Sequence, residues 1–179
     1  MRAGLTRLRA CVEWLQAGTD AMSLVAAYLA GLVLMLMTTH IMYEVILRVV
    51  FSTSTFILDE IVGYGVAACT FLALGHALEQ GGLIRVNLLL KVLGDDGAGR
   101  RITEFVTIFL ALAAVGFQIA YFWRSVARNF GRGAVSETVA EVPLWIPEGV
   151  MLVGLAVFWL HLSVYLLRTL VGLPLIRDG

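Results

Sequence analysis

Four long apolar blocks, at residues 21–43, 61–78, 105–123 and 149–167, alternate with short polar connections. Each reaches or nearly reaches the ~20 residues that a helix needs to cross hydrocarbon about 30 Å thick. None alternates apolar and polar positions as the strands of a membrane barrel do. A helix satisfies its own backbone hydrogen bonds inside lipid, so four spanning helices are the economical expectation. With their polar ends included, the spans are expected at about 21–47, 57–79, 103–125 and 144–168, in one integral membrane domain covering residues 1–179. The first block is too long for the apolar core of a secretory signal, and no small-x-small cleavage site follows it. It reads as a retained helix.

Two shorter segments carry their own pattern. In residues 5–16, Leu5, Leu8, Val12 and Leu15 recur at helical spacing, with Arg7, Arg9 and Glu13 off that stripe. The pattern predicts an N-terminal interfacial helix anchored by Trp14. After the second span, Gly81 and Gly82 let the chain turn sharply. The apolar run that follows, from Leu83 to Leu93, is too short to span, and Asn87, Lys91 and Asp95 share one of its faces. It predicts a short cytoplasmic-surface helix between spans 2 and 3.

Composition supports the membrane reading. The chain is 60% hydrophobic with a mean hydropathy of +0.89, against about 45–50% apolar in soluble domains. The formal net charge is zero, so no basic face points to nucleic acid. Cys11 and Cys69 match no metal or redox spacing. Orientation is read from the basic residues of the short connections. Arg2, Arg7, Arg9, Arg85, Lys91, Arg100, Arg101, Arg168 and Arg177 fall on one side of the layout, and Arg48, Arg124, Arg128 and Arg132 on the other. That bias places both termini in the cytoplasm of a bacterial inner-membrane protein.

Candidate chemistry is sparse. His40, Glu44 and Arg48 share one helix face, and Glu44 can pair with Arg48 one turn later. This reads as a charged helix end at the outer headgroups, or as a contact with a partner subunit. Asp59 and Glu60 open the second span after Ser52, Thr53, Ser54 and Thr55, which offer turn and N-cap chemistry. Acidic groups also suit the positive end of a helix dipole. The connection from Arg124 to Val142 reads as a solvated loop. Pro143, Trp145 and Pro147 open the fourth span, with proline tolerated in a first turn and Trp145 suited to an aromatic belt. Of the histidines, only His76 and His161 fall at similar depth, which is weak support for a haem-bearing anchor of an oxidoreductase. A self-sufficient small-molecule/proton antiporter acting through Glu44 is the other alternative. The span interiors carry few ionisable groups, whereas a path for a polar solute needs them. A scaffold or accessory subunit therefore fits better than a lone carrier. No cofactor and no catalytic constellation is expected.

Between Asp59 and Leu90 the chain resembles the small membrane subunit of tripartite ATP-independent periplasmic (TRAP) transporters. That family opens its second helix on an acidic pair, here Asp59-Glu60. It closes the span on a Gly-Gly-His-Ile-Arg-Val-Asp-like signature, here Gly81-Gly82-Leu83-Ile84-Arg85-Val86-Asn87. Pro143, Trp145 and Pro147 also fit, as do the length, the four helices and the cytoplasmic termini. Leu83 and Asn87 replace the usual His and Asp, and Asp59 stands where Glu is commoner. These departures favour a packing or positioning role for the motif over direct chemistry. The resemblance implies a sodium-driven uptake system that uses no ATP. In it a large multi-spanning membrane subunit holds the substrate and ion sites, and a periplasmic solute-binding protein delivers an organic acid. The small subunit anchors the large one, with Glu44, Asp59, Glu60, Gly81, Gly82, Arg85, Asn87 and Trp145 as candidate interface residues.

Overall fold

A computed structural model describes residues 2–80 and 97–171. It is all helical, with α1 at Arg2–Phe51, α2 at Leu58–Glu79, α3 at Gly97–Arg132 and α4 at Trp145–Val171. All four are long and apolar enough to cross a membrane. The apolar blocks at 21–43, 61–78, 105–123 and 149–167 each lie within one of them.

The N-terminal interfacial helix does not form a separate element. Residues 5–16 are the opening turns of α1, which runs unbroken into the first span. Nothing between Leu15 and Ala21 stops a helix. A single Gly18 costs only about 1 kcal/mol relative to alanine. The Thr19 and Ser23 hydroxyls donate back to the carbonyls of Gln16 (3.0 Å) and Asp20 (2.9 Å), which keeps their polar groups within the helix. At 1.5 Å per residue α1 is about 75 Å long, well beyond a bilayer of roughly 40–45 Å with its headgroups. The expected cytoplasmic-surface helix, with Gly81, Gly82, Arg85 and Asn87, lies outside the described residues.

The last helix is the hub. It packs against α1, α2 and α3, while α1 also packs along α2. Its Leu155, Phe158, Leu162 and Tyr165 form the main core with Leu78 of α2 and Val115 of α3. Ala26 and Ala30 of α1 meet Leu72 of α2 in a second cluster. Lipid supplies little drive for helix association, so close packing by small residues carries it. A Cβ built on Gly154 of α4 would lie 2.5 Å from the backbone carbonyl of Phe71. Gly75 of α2 similarly meets Ser23 at 3.2 Å and Val157 at 3.4 Å. Polar side chains staple the helices further: the Trp159 indole N–H donates to the Leu112 carbonyl (3.2 Å) and the Cys69 thiol to that of Ala30 (3.2 Å).

Large apolar side chains such as Tyr28, Met35 and Leu36 on α1 and Phe117 on α3 stay more than half exposed. In water such a surface would drive aggregation. Against lipid it is the expected outer surface of a bundle. The short connections 52–57 and 133–144 lie together at one end of the bundle, called here the distal end; the opposite, proximal end carries Asp20 of α1 and Glu79 of α2.

Candidate functional site

At the distal end a buried carboxylate organises the α1–α2 connection. Glu44 is completely shielded from solvent. Its Oε1 accepts from Arg48 Nε (3.0 Å) and from the Ser54 hydroxyl. Its Oε2 accepts from the Thr55 backbone N–H (3.1 Å) and hydroxyl (2.6 Å). The Glu44–Arg48 pair expected from the four-residue spacing is present, and the connection folds back to complete the shell. This geometry requires left-handed backbone at two non-glycine residues, Ser52 (φ 51°) and Phe56 (φ 61°). Such conformations persist only where surrounding bonds hold them. Ser54 and Thr55 therefore serve Glu44. The capping expected of the Ser52–Thr55 stretch is not made: Ile57 is the N-cap of α2 and makes no side-chain capping bond.

The adjacent acids of α2 part company. Asp59 is exposed, whereas Glu60 is half-buried and accepts from the Thr138 hydroxyl. Both remain in the first turn, where the helix dipole favours them. Thr138 belongs to a connection that is not a loose loop. The third helix continues to Arg132, and residues 133–144 close a small hairpin. Val135 pairs with Pro143, the Ser136 N–H donates to the Val142 carbonyl (2.9 Å), and the Leu144 N–H donates to that of Ala134 (3.1 Å). Glu148, in the first turn of α4, accepts from Ser125 (3.0 Å) and Asn129 (2.9 Å) and so clasps α3. Trp145 sits edge-on to Phe130, with ring centroids 5.5 Å apart. Two open clefts share Asp59. One, of about 520 Å³, also includes Arg48 and Phe56, and the other, of about 700 Å³, includes Glu60 and the hairpin.

A second polar group ties the proximal end. The Ser23 hydroxyl donates to Glu79 Oε2 (3.1 Å), which also lies 3.3 Å from His76 Nδ1. His161 of α4 is wholly buried, with Nε2 3.4 Å from Asp20 Oδ1. Arg168, two turns on, is buried as well. The expected similar depth of His76 and His161 is reproduced, and each ring faces a carboxylate. Among the described residues no set of three or more His, Cys, Asp or Glu side chains converges as a metal site.

The structure thus brings Glu44 to the α1–α2 connection and Glu60 to the α3–α4 hairpin, leaves Asp59 at the surface, and sets Trp145 against α3. It adds Ser54, Thr55, Thr138 and Glu148 at the distal end, and Asp20, Ser23 and Glu79 at the proximal end. Most of these pairs join residues far apart in sequence, so only Glu44 with Arg48 and His76 with Glu79 had a local signal.

The family model for tripartite ATP-independent periplasmic transporters, DctQ component, matches residues 37–172. The chain belongs to this family. It is a DctQ component, a multi-pass membrane part of a TRAP transporter and not an enzyme. The matched stretch covers the Glu44 shell, the hairpin, the hub helix and His161, and leaves out Asp20 and Ser23. No curated protein and no solved structure matches the chain.

Proposed function

We propose that this DctQ component is the scaffold subunit of a sodium-driven, binding-protein-dependent uptake system for an organic acid. It anchors a large membrane subunit that carries the substrate and sodium sites, and it works with a periplasmic solute-binding protein. The observation that carries this reading is where its polar groups are spent. Glu44, Glu60 and Glu148 are bonded to the chain's own connections and helix ends, and Ser23, His76, Glu79 and His161 are gathered at the proximal end. Between the Glu44 shell and the proximal group of Ser23 and the His161–Asp20 pair, the fully buried side chains among the described residues are apolar. Moving a carboxylate solute through such a core would leave its charge without partners, at roughly 2.5–3.5 kcal/mol even on lenient insertion scales. The full bonding of Glu44 also makes it a poor mobile proton carrier.

The residues proposed to meet partners are Asp59 and Trp145 at the distal end, and Gly81, Gly82, Arg85 and Asn87 between α2 and α3. Glu44 and Glu60 would act by shaping the distal connections. Vesicles containing the large subunit, the binding protein and this chain should take up solute under an inward sodium gradient. Vesicles lacking this chain should lose most or all of that uptake. Sodium-driven uptake by this chain alone would overturn the scaffold reading.

The proposed orientation places the proximal end in the cytoplasm of the bacterial inner membrane, on the nine-to-four bias of basic residues. Alkaline phosphatase fused within the 133–144 hairpin should be active, and a fluorescent-protein reporter there dark. Fusions after Gly97 should show the reverse. The opposite pattern would invert the topology.

A further inference from the structure

Arg124, Arg128 and Arg132 recur every fourth residue along the distal end of α3, so they rise in a ladder with steps of about 6 Å on neighbouring faces. All three are exposed. None is joined to a carboxylate among the described residues. Glu137 and Glu141 of the following hairpin are exposed too, yet they form no ion pair with the ladder. Toward the proximal end the same face continues through Tyr121, Phe117 and Leu110, each between 62% and 75% exposed. One strip of α3 thus passes from apolar surface, through an aromatic zone, to three guanidinium groups with no carboxylate partner among the described residues.

That order of chemistry matches a phospholipid read from tail to head. We propose that this strip docks an anionic phospholipid in the leaflet opposite the chain termini, with acyl chains along Leu110 and Phe117 and the phosphate on the arginines. Guanidinium groups bind phosphate through two parallel hydrogen bonds, which a point-charge ammonium cannot do. The ladder extends about 12 Å, roughly twice the depth of one headgroup layer. Its deepest member, Arg124, can reach outward along the helix while its stem lies on apolar surface. Net lipid charge should matter, because the ammonium of phosphatidylethanolamine competes for the phosphate and phosphatidylglycerol has no such group. An acidic soluble partner is a poorer match, since it would not explain the apolar strip that leads into the ladder.

The test is native mass spectrometry of the detergent-purified transporter complex, delipidated and then titrated with phosphatidylglycerol or phosphatidylethanolamine. The wild-type complex should retain phosphatidylglycerol preferentially. R124Q/R128Q/R132Q should lower that retention about a hundredfold, because each arginine near an anionic surface adds about a fivefold factor. R7Q/R9Q, at the other end of the bundle, should leave it unchanged. Should the triple variant fail to assemble, R128Q alone should still weaken retention measurably. Equal retention of the two lipids by the wild type would overturn the proposal. So would a preference unaffected by R128Q and the triple variant, or an arginine-dependent retention of the solute-binding protein with no lipid preference.

Discussion

Replacing Gly154 with alanine is expected to disrupt the bundle more than any other single-methyl change in it. The added Cβ would sit 2.5 Å from both the carbonyl carbon and the oxygen of Phe71, and 2.9 Å from the Leu72 nitrogen. These obstacles are backbone atoms, so no rotamer change relieves the clash and α2 and α4 must separate. Overpacking of this kind costs about 1–3 kcal/mol where side chains can yield, and should cost at least that here. The effect should spread because α4 also packs against α1 and α3. Two other glycines calibrate it. A Cβ on Gly149, on the same helix, meets nothing within 4 Å, and one on Gly75 meets Ser23 at 3.2 Å. Thermal scanning of the purified complex should therefore rank G149A near or above wild type, G75A lower and G154A lowest. Wild-type stability in G154A would show that α2 and α4 do not approach this closely.

Glu44→Ala is expected to release the α1–α2 connection. The carboxylate is the common acceptor for Arg48, Ser54 and both donors of Thr55. Without it the Thr55 N–H loses its partner, and the left-handed backbone at Ser52 and Phe56 is held only by the bonds from Thr53 N–H to the Leu47 carbonyl (3.3 Å) and from Phe56 N–H to Ser54 Oγ (3.1 Å). Segments with few remaining bonds open locally at low free energy. Amide exchange across residues 52–57 should then rise by about tenfold or more, with helix interiors little changed. Glu44→Gln keeps one carbonyl acceptor but turns an N–H₂ group toward existing donors, so it should fall between wild type and alanine. Ser52→Gly should slow exchange or leave it unchanged, because glycine adopts positive φ without strain. Unchanged exchange in E44A would mean that the connection is held by other contacts. Because the Arg48–Ser54 cleft adjoins this connection, E44A should also lower sodium-driven uptake if the distal face meets the binding protein.

Much of the architecture was readable from the chain alone. Block length and hydropathy located the four helices that are long and apolar enough to span, because the bilayer imposes a length on any helix that crosses it. The Gly81–Asn87 signature and the acidic pair Asp59-Glu60 pointed to the family that the match over residues 37–172 establishes. The Glu44–Arg48 pair was legible because a helix places residues four apart on one face whatever surrounds it. Local pattern misled at both ends of the first span. The amphipathic stripe of residues 5–16 suggested a separate helix, yet no residue after it breaks α1. The Ser52–Thr55 stretch looked like an N-cap, yet a buried carboxylate competes more strongly for its hydroxyls and N–H.

What only the tertiary structure decided is which face of each helix meets another helix. In a soluble bundle an apolar stripe marks the inside. Helices in lipid are apolar all round, so sequence carries little record of rotation about their axes. Nothing local distinguishes Gly154, pressed against the Phe71 backbone, from Gly149, which touches nothing. Nor could the chain alone reveal that Glu60 binds Thr138, that Glu148 bridges Ser125 and Asn129, or that His161 faces Asp20. Those contacts join distant parts of the chain, and they exist only once α4 has become the hub on which the other three helices settle.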